Sequence, residues 1–155
     1  MAVLVDSFVG NKAHDFTLIA DDGSYFELSR LKGKKIILYF YPKDDTSGCT
    51  AQACAFRDHK PEFDSKDVYI IGVSKDDTKR HQNFKKKYDL NFTLLSDING
   101  KVCEAYDVWK EKSMYGRKYF GIERSTFYID ETFTIRQVWR KVKVPGHYLE
   151  VLGTL

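Results

Sequence analysis

The sequence predicts an α/β fold in which a mixed sheet is covered by helices. Three observations carry this. Two unbroken apolar runs, Ile36 to Tyr41 and Val68 to Ser74, have strand length and lack the polar alternation of a half-exposed strand. The segments that follow them are polar and open on helix-starting residues. The last third of the chain then reads as strand, turn, strand and short helix.

In chain order, Phe16 to Ile19 and Tyr25 to Leu28 flank the turn cluster Asp21-Asp22-Gly23-Ser24 and form an N-terminal β-hairpin. Ser29 opens a short turn that ends at Gly33. The run from Ile36 to Tyr41, stopped by Pro42, is a central strand buried on both faces. A helix runs from Thr46 or Ser47 to about His59. After the second buried strand, Asp76 or Asp77 starts a helix that puts Phe84 and Tyr88 on one face. Phe92 to Ser96 is a third strand, and Asp97-Ile98-Asn99-Gly100 turns into a short helix from Val102 to Tyr106. Trp109 to Gly121 is an extended loop or hairpin arm. Ser125 to Asp130 and Thr134 to Trp139 are strands, Pro145-Gly146 breaks the chain, and a terminal helix begins at His147.

The 155 residues suit one domain over 1–155, with no repeat or linker. Net charge is +3 and spread out, so the densest basic run, Lys85-Lys86-Lys87, reads as a solvated helix face rather than a nucleic-acid site. The apolar runs are far too short to cross a membrane. Met1 to Asp6 has no basic start and carries an acid where an export leader would stay apolar. The expected location is therefore cytoplasmic, where thiols stay free and cysteines are reactive, metal-bound or inert.

Of the three cysteines, Cys49 has the most telling surroundings. It lies beyond the carboxyl end of the central strand, where ligand sites gather in open α/β sheets, and in the first turn of a helix. Unpaired N–H groups and the positive end of the helix dipole there favour a thiolate, the nucleophilic form. Thr46 and Ser47 stand where a cap belongs, Gly48 lets backbone come close to a ligand, and Pro42 fixes the turn.

Cys54 lies five residues further on. Five residues of α-helix turn by about 140° and rise about 7.5 Å, which separates the Cα atoms by about 8.6 Å. A disulfide tolerates about 7 Å, so the two thiols either never pair or pair only when the helix unwinds. The spacing is not the C-x-x-C of thioredoxin chemistry. No C-x-x-C or H-x-x-x-H pair supports zinc, and no glycine-rich phosphate loop is present, so no cofactor or metal is expected. Cys103, in Val102-Cys103-Glu104, reads as a packed thiol without chemistry.

Pro42-x-x-x-Thr46-x-x-Cys49 resembles the active-site motif of the peroxiredoxins, and the Cys49/Cys54 spacing resembles their bacterioferritin-comigratory (PrxQ) branch. The likeness extends to Asn91 to Asp97, Val102 to Glu104 and Gly121 to Asp130. It implies a thioredoxin-like fold with an N-terminal hairpin extension. It also implies a peroxidase acting on hydrogen peroxide and organic hydroperoxides. In that resemblance Cys49 is the peroxidatic nucleophile and Cys54 the resolving thiol. Thr46 bonds the peroxide, Pro42 shields the sulfur from water, and Arg124 stabilises the thiolate and the polarised O–O bond. The partners implied are a peroxide and a thiol reductant such as thioredoxin, and the branch is often monomeric. Relatives commonly have proline where this chain has Ser47, which leaves the turn before Cys49 freer. Two other readings stand beside this one: a one-cysteine peroxidase in which Cys54 is inert, and a non-catalytic thioredoxin-fold binding or chaperone module.

Overall fold

The computed structural model describes residues 5–155, so the leader reading of Met1 to Asp6 falls mainly outside the described residues. Its elements are β1 (Thr17–Ala20), β2 (Tyr25–Glu27), β3 (Lys35–Phe40), α1 (Ser47–Asp58), α2 (Lys60–Ser65), β4 (Val68–Ser74), α3 (Thr78–Tyr88) and β5 (Thr93–Ser96). These are followed by α4 (Lys101–Ala105), β6 (Trp109–Met114), β7 (Arg117–Ile122), β8 (Ser125–Ile129), β9 (Ile135–Trp139) and α5 (His147–Gly153). The expected mixed sheet with covering helices is what forms. Seven strands lie in the order β2-β1-β5-β4-β3-β8-β9. β3, β4 and β5 run parallel, while β1, β8 and β9 pair antiparallel with their neighbours.

β3 shows why an unbroken apolar run belongs inside. Successive side chains point to opposite faces. Ile36, Leu38 and Phe40 enter one core, with Phe127, Tyr106 and Val73, while Ile37, Tyr39 and Tyr41 enter the other, with Phe56, Phe63 and Phe84. Both sets are essentially inaccessible, so each face needs apolar cover. The second core is aromatic: the Tyr39 ring lies 5.0 Å from Phe56, 5.4 Å from Tyr41 and 6.1 Å from Phe92. Gly72, paired with Tyr39 in the β3–β4 register, makes room for that ring, because a Cβ there would meet the ring and hydroxyl at 3.0 Å. A buried strand glycine of this kind marks close approach rather than flexibility.

The differences from the sequence reading are local. Trp109 to Gly121 is a full two-stranded hairpin, β6–β7, standing outside the main sheet. The helix that carries Cys49 runs from Ser47 to Asp58 as expected, but a second short helix, α2, with Pro61 at its start, follows it and was not anticipated. Proline is tolerated in a first helical turn, where its missing N–H has no partner to lose. Ser29 sits within a 3₁₀ turn, Leu28–Leu31, instead of opening it. Asp77 does cap α3, accepting from the Arg80 N–H at 2.8 Å. No described helix is long and apolar enough to cross a membrane.

Candidate active site

The parallel strands all deliver their carboxyl ends to one edge of the sheet, and the turn 41–46 leaves β3 there to start α1. Thr46 is the N-cap residue of α1, with the extended backbone a cap needs, and its carbonyl takes the first helical bond, from Thr50 N–H at 2.8 Å. Its side chain does not cap. The hydroxyl donates instead to the Lys43 carbonyl at 2.9 Å, so the expected Thr46 or Ser47 side-chain cap is absent and the Thr46 hydroxyl closes the turn behind it. Pro42 and Thr46 are both exposed at this edge.

Cys49 is the third residue of α1 and is 2% exposed, packed with Tyr39, Ala53 and Phe56. Arg124, just before β8, reaches it across the sheet edge, its Nη2 3.3 Å from Sγ. The other guanidinium nitrogen, Nη1, donates to Gln52 Oε1 at 2.6 Å. Gln52 lies three residues after Cys49 on the same helix face, so one helix holds both ends of the fork. The approach depends on Gly48. A Cβ at that position would sit 3.1 Å from Nη2, so what comes close to this glycine is the arginine rather than a ligand. A planar, permanently charged group with forked donors can then steady a thiolate while pinned by a neutral amide.

Two residues of this site were not singled out in the sequence. Gln52 could have been found from its i+3 spacing, but a glutamine carries no chemical signature. Lys112 comes from the β6–β7 arm, which nothing in the sequence ties to Cys49. Its ammonium donates to the Ile122 carbonyl, and burial, then the Arg124 charge, pull its pKa down. Beneath the site the Tyr39 hydroxyl is buried with no hydrogen-bond partner among the described residues. Burial and then the neighbouring Cys49 hold that hydroxyl well above the usual phenol range.

The other two cysteines differ in kind. Cys54 lies on the same unbroken helix and is half-buried, and all three cysteines are free. Cys103 is fully buried, and burial, then the Asp97 carboxylate, push its thiol far up, as fits the inert reading.

Beside the first two turns of α1 runs a groove of about 450 Å³. Gly48, Ala51 and Ala55 form one wall, and Val144, Pro145 and Tyr148 the other. A groove of similar size, about 460 Å³, lies among α2, β4 and β5 and contains none of these residues.

The AhpC/TSA family model matches residues 9–138, which include every residue of the turn, of α1 and of Arg124. The chain is 56% identical over 147 residues to a putative peroxiredoxin bcp of Coxiella burnetii, covering 95% of this chain and 97% of that one. This chain is a peroxiredoxin. A second relative, peroxiredoxin Bcp of Bacillus subtilis, is 52% identical and covers 95% of this chain and 94% of its own. Among solved structures, a cysteine-to-serine mutant of Xylella fastidiosa PrxQ superposes with a TM-score of 0.90 at 37% identity, covering 99% and 96% of the two chains. The bacterioferritin comigratory protein of Xanthomonas campestris gives 0.86 at 43% identity, covering 90% and 88%, and is described by its alkyl peroxide reduction activity. These neighbours are thioredoxin-fold peroxiredoxins of the Bcp/PrxQ branch, and this peroxiredoxin shares their sheet and helices.

The close approach of Arg124 to Gly48 yields a prediction. Gly48→Ala displaces the guanidinium from Sγ by a few tenths of an ångström or more, and alkylation of Cys49 by iodoacetamide at pH 7 slows by about three- to tenfold. An unchanged alkylation rate in the folded variant removes Gly48 and Arg124 from the account of Cys49 reactivity.

Proposed function

We propose that residues 1–155 act as one peroxidase domain that reduces hydrogen peroxide and organic hydroperoxides through Cys49, with Cys54 as the resolving thiol and a dithiol reductant such as thioredoxin closing the cycle. The observation that carries this is the Arg124 contact to a free Cys49 in the first turn of a helix that also bears a free Cys54.

In the first step the Cys49 thiolate attacks one peroxide oxygen, and the O–O bond breaks. The sulfur becomes a sulfenic acid, and the departing oxygen takes a proton and leaves as water or an alcohol. Arg124 offers donors to the developing charge. The Thr46 hydroxyl has spent its hydrogen on the Lys43 carbonyl, so its lone pairs are left to accept from the peroxide O–H. Burial among Tyr39, Ala53 and Phe56 keeps bulk water from the sulfur. Pro42, exposed at the turn, serves by fixing the backbone.

In the second step Cys54 attacks the sulfenic sulfur, a disulfide forms and water leaves. An intact α1 keeps the two cysteines beyond disulfide reach. The start of α1 is poorly secured. Ser47, Gly48, Cys49 and Thr50 together cost about 2–3 kcal/mol of helix propensity relative to alanine. No side chain caps this end, and no acidic residue sits in its first turn. Past Cys54 the helix is held by Phe56, which is 1% exposed, and by Arg57, whose Nη1 donates to the Tyr88 carbonyl at 2.6 Å. Unwinding therefore starts at the Cys49 end. A reductant then exchanges its two thiols for the disulfide and restores both cysteines.

The groove along Gly48, Ala51 and Ala55 begins at the nucleophile's own turn and has apolar walls, which suits the carbon chain of an organic hydroperoxide. The Xanthomonas campestris relative's alkyl peroxide reduction supports the same substrate class.

Two measurements test this reading. One equivalent of peroxide removes two free thiols from the wild type and leaves a Cys49–Cys54 bond by mass spectrometry. Cys54→Ser loses one thiol and its thioredoxin-linked turnover falls at least about tenfold. Loss of a single thiol in the wild type instead establishes the one-cysteine scheme, and consumption of peroxide by Cys49→Ser at the wild-type rate removes the enzyme reading. For the groove, Ala51→Phe lowers kcat/KM for cumene hydroperoxide about tenfold more than for hydrogen peroxide. Equal losses for both substrates place the carbon chain elsewhere.

A further inference from the structure

The turn that presents Thr46 and Cys49 is held from below by a buried polar network that the reaction scheme does not use. Asp44 is 7% exposed and His81, on α3, is 0% exposed. The Asp44 carboxylate receives two bonds, from the Tyr41 hydroxyl at 2.5 Å and from His81 Nδ1 at 2.6 Å. The other ring nitrogen, Nε2, lies 2.9 Å from the Leu95 carbonyl on β5. The backbone N–H of Asp44 donates to Asp76 Oδ2 at 2.8 Å, and Asp76 also accepts from Ser74 at 2.7 Å. One short turn is thereby tied to the ends of β4 and β5 and to the first turns of α3. Asp45, next along, takes a left-handed backbone (φ 59°) and bonds outward to Lys87 and Tyr88 of the same helix. Those outer contacts are exposed, and exposed ion pairs hold little. The inner network carries the load.

We infer that Tyr41, Asp44 and His81 are positioning residues for the peroxidatic turn: the hydrogen bonds that buried Asp44 accepts from the Tyr41 hydroxyl and the His81 ring fix the backbone from Tyr41 to Thr46, and with it the Thr46 hydroxyl and the start of α1.

The ring's proton count follows from its partners. A carbonyl can only accept, so Nε2 carries a hydrogen; the 2.6 Å contact to Asp44 needs one more hydrogen between Nδ1 and Oδ2, and the upward shift of the ring's pKa assigns it to Nδ1. The charges around the ring balance that cation. Asp44 faces it from the turn and Asp76 from the end of β4, and Arg80 lies 3.7 Å from Asp76. Tyr41 approaches Nδ1 at 3.5 Å, and burial, then Tyr39 and Asp44, keep its hydroxyl protonated. Burial works against the His81 charge. The Asp44 bond and charge, the Leu95 carbonyl and Asp76 outweigh it, so the proton is held above the ordinary histidine range.

The same three residues, Asp44, Asp76 and His81, offer ligand atoms within 4.8 Å of one another. A metal is nevertheless a poor fit. Two donors side by side on a zinc ion stand more than about 3 Å apart. Nδ1 and Asp44 Oδ2 are closer than that, at the distance of a shared proton.

A raised histidine pKa stabilises the fold below the unfolded value, near pH 6.5, and that contribution is lost as pH rises through the folded value. Above it a neutral Nδ1 lone pair faces the Asp44 carboxylate, and the turn loosens. The peroxide rate therefore has an alkaline limb that belongs to this network.

Asp44→Asn separates geometry from charge. Asparagine can donate to a neutral Nδ1 and accept from Tyr41, keeping every bond without the ion pair. The inference rests on Cys49 being the peroxidatic thiol, and it is tested by the second-order rate with hydrogen peroxide across pH, beside ring ¹⁵N shifts of His81 that do not depend on turnover. Asp44→Ala, folded by circular dichroism, loses ~10–100-fold in rate. Asp44→Asn stays within a factor of ~3 and lacks the alkaline limb. Wild-type His81 is doubly protonated at pH 7. A neutral His81 ring at pH 7, a folded Asp44→Ala at the wild-type rate, or an alkaline limb that persists in Asp44→Asn overturns the inference. So does a Zn²⁺-dependent rise in melting temperature that His81→Gln abolishes. If wild-type protein consumes no peroxide while the His81 ring is cationic, the peroxidase reading falls and the network's charge state stands.

Discussion

Cys54 lies five positions along an intact helix from Cys49, and that separation sets the terms for the rest of the site. The helix must persist for Arg124 to meet the sulfur, since Cys49 and Gln52 present themselves to the guanidinium on one helical face. In the proposed cycle it must also open for the two thiols to meet. The composition of α1 reconciles these demands by being uneven. Its first turn is Ser47-Gly48-Cys49-Thr50, without a capping side chain, and its last is buried through Phe56 and tethered through Arg57. Gly48 serves both demands: its missing side chain admits Arg124, and its low helix propensity eases the opening.

An element that opens needs neighbours that do not. Upstream, β3 is buried on both faces, and the Tyr41–Asp44–His81 network fixes the turn before α1. Downstream, the aromatic cluster of Tyr39, Phe56 and Phe92 holds the far end. Local unfolding can then be confined to about two turns. Stability in folded domains is distributed in such cooperative patches, and functional segments are drawn from the weaker ones.

Much of this was legible in the sequence. The apolar runs gave β3 and β4 because strands buried on both faces leave no alternation to misread. Asp77 announced α3 because a capping carboxylate is a local signal. The i+5 spacing of Cys49 and Cys54 carried its geometric consequence on a single element. What stayed hidden is long-range. Arg124 is one of 25 basic residues, and only resemblance singled it out. Lys112 is ordinary until the β6–β7 arm brings it near Arg124 and the thiol, and Gln52, although local to α1, carries no chemical signature. His81 stands in a lysine-rich segment but on the same helix face as Phe84, and it is fully buried because Asp44 and Leu95 satisfy both ring nitrogens. The Thr46 side chain defeated a local rule. It stands at the N-cap, but the Lys43 carbonyl competes for its hydroxyl.

The central claim is that α1 itself is the switch between a peroxide-reactive state and a disulfide state. Amide hydrogen exchange, followed for the reduced protein and again after one equivalent of peroxide, measures this directly. The account predicts protected amides through the middle of α1 when reduced, with protection lost from Cys49 to Cys54 on oxidation while β3 and α3 stay unchanged. A Cys49–Cys54 bond formed with α1 protection intact would contradict it.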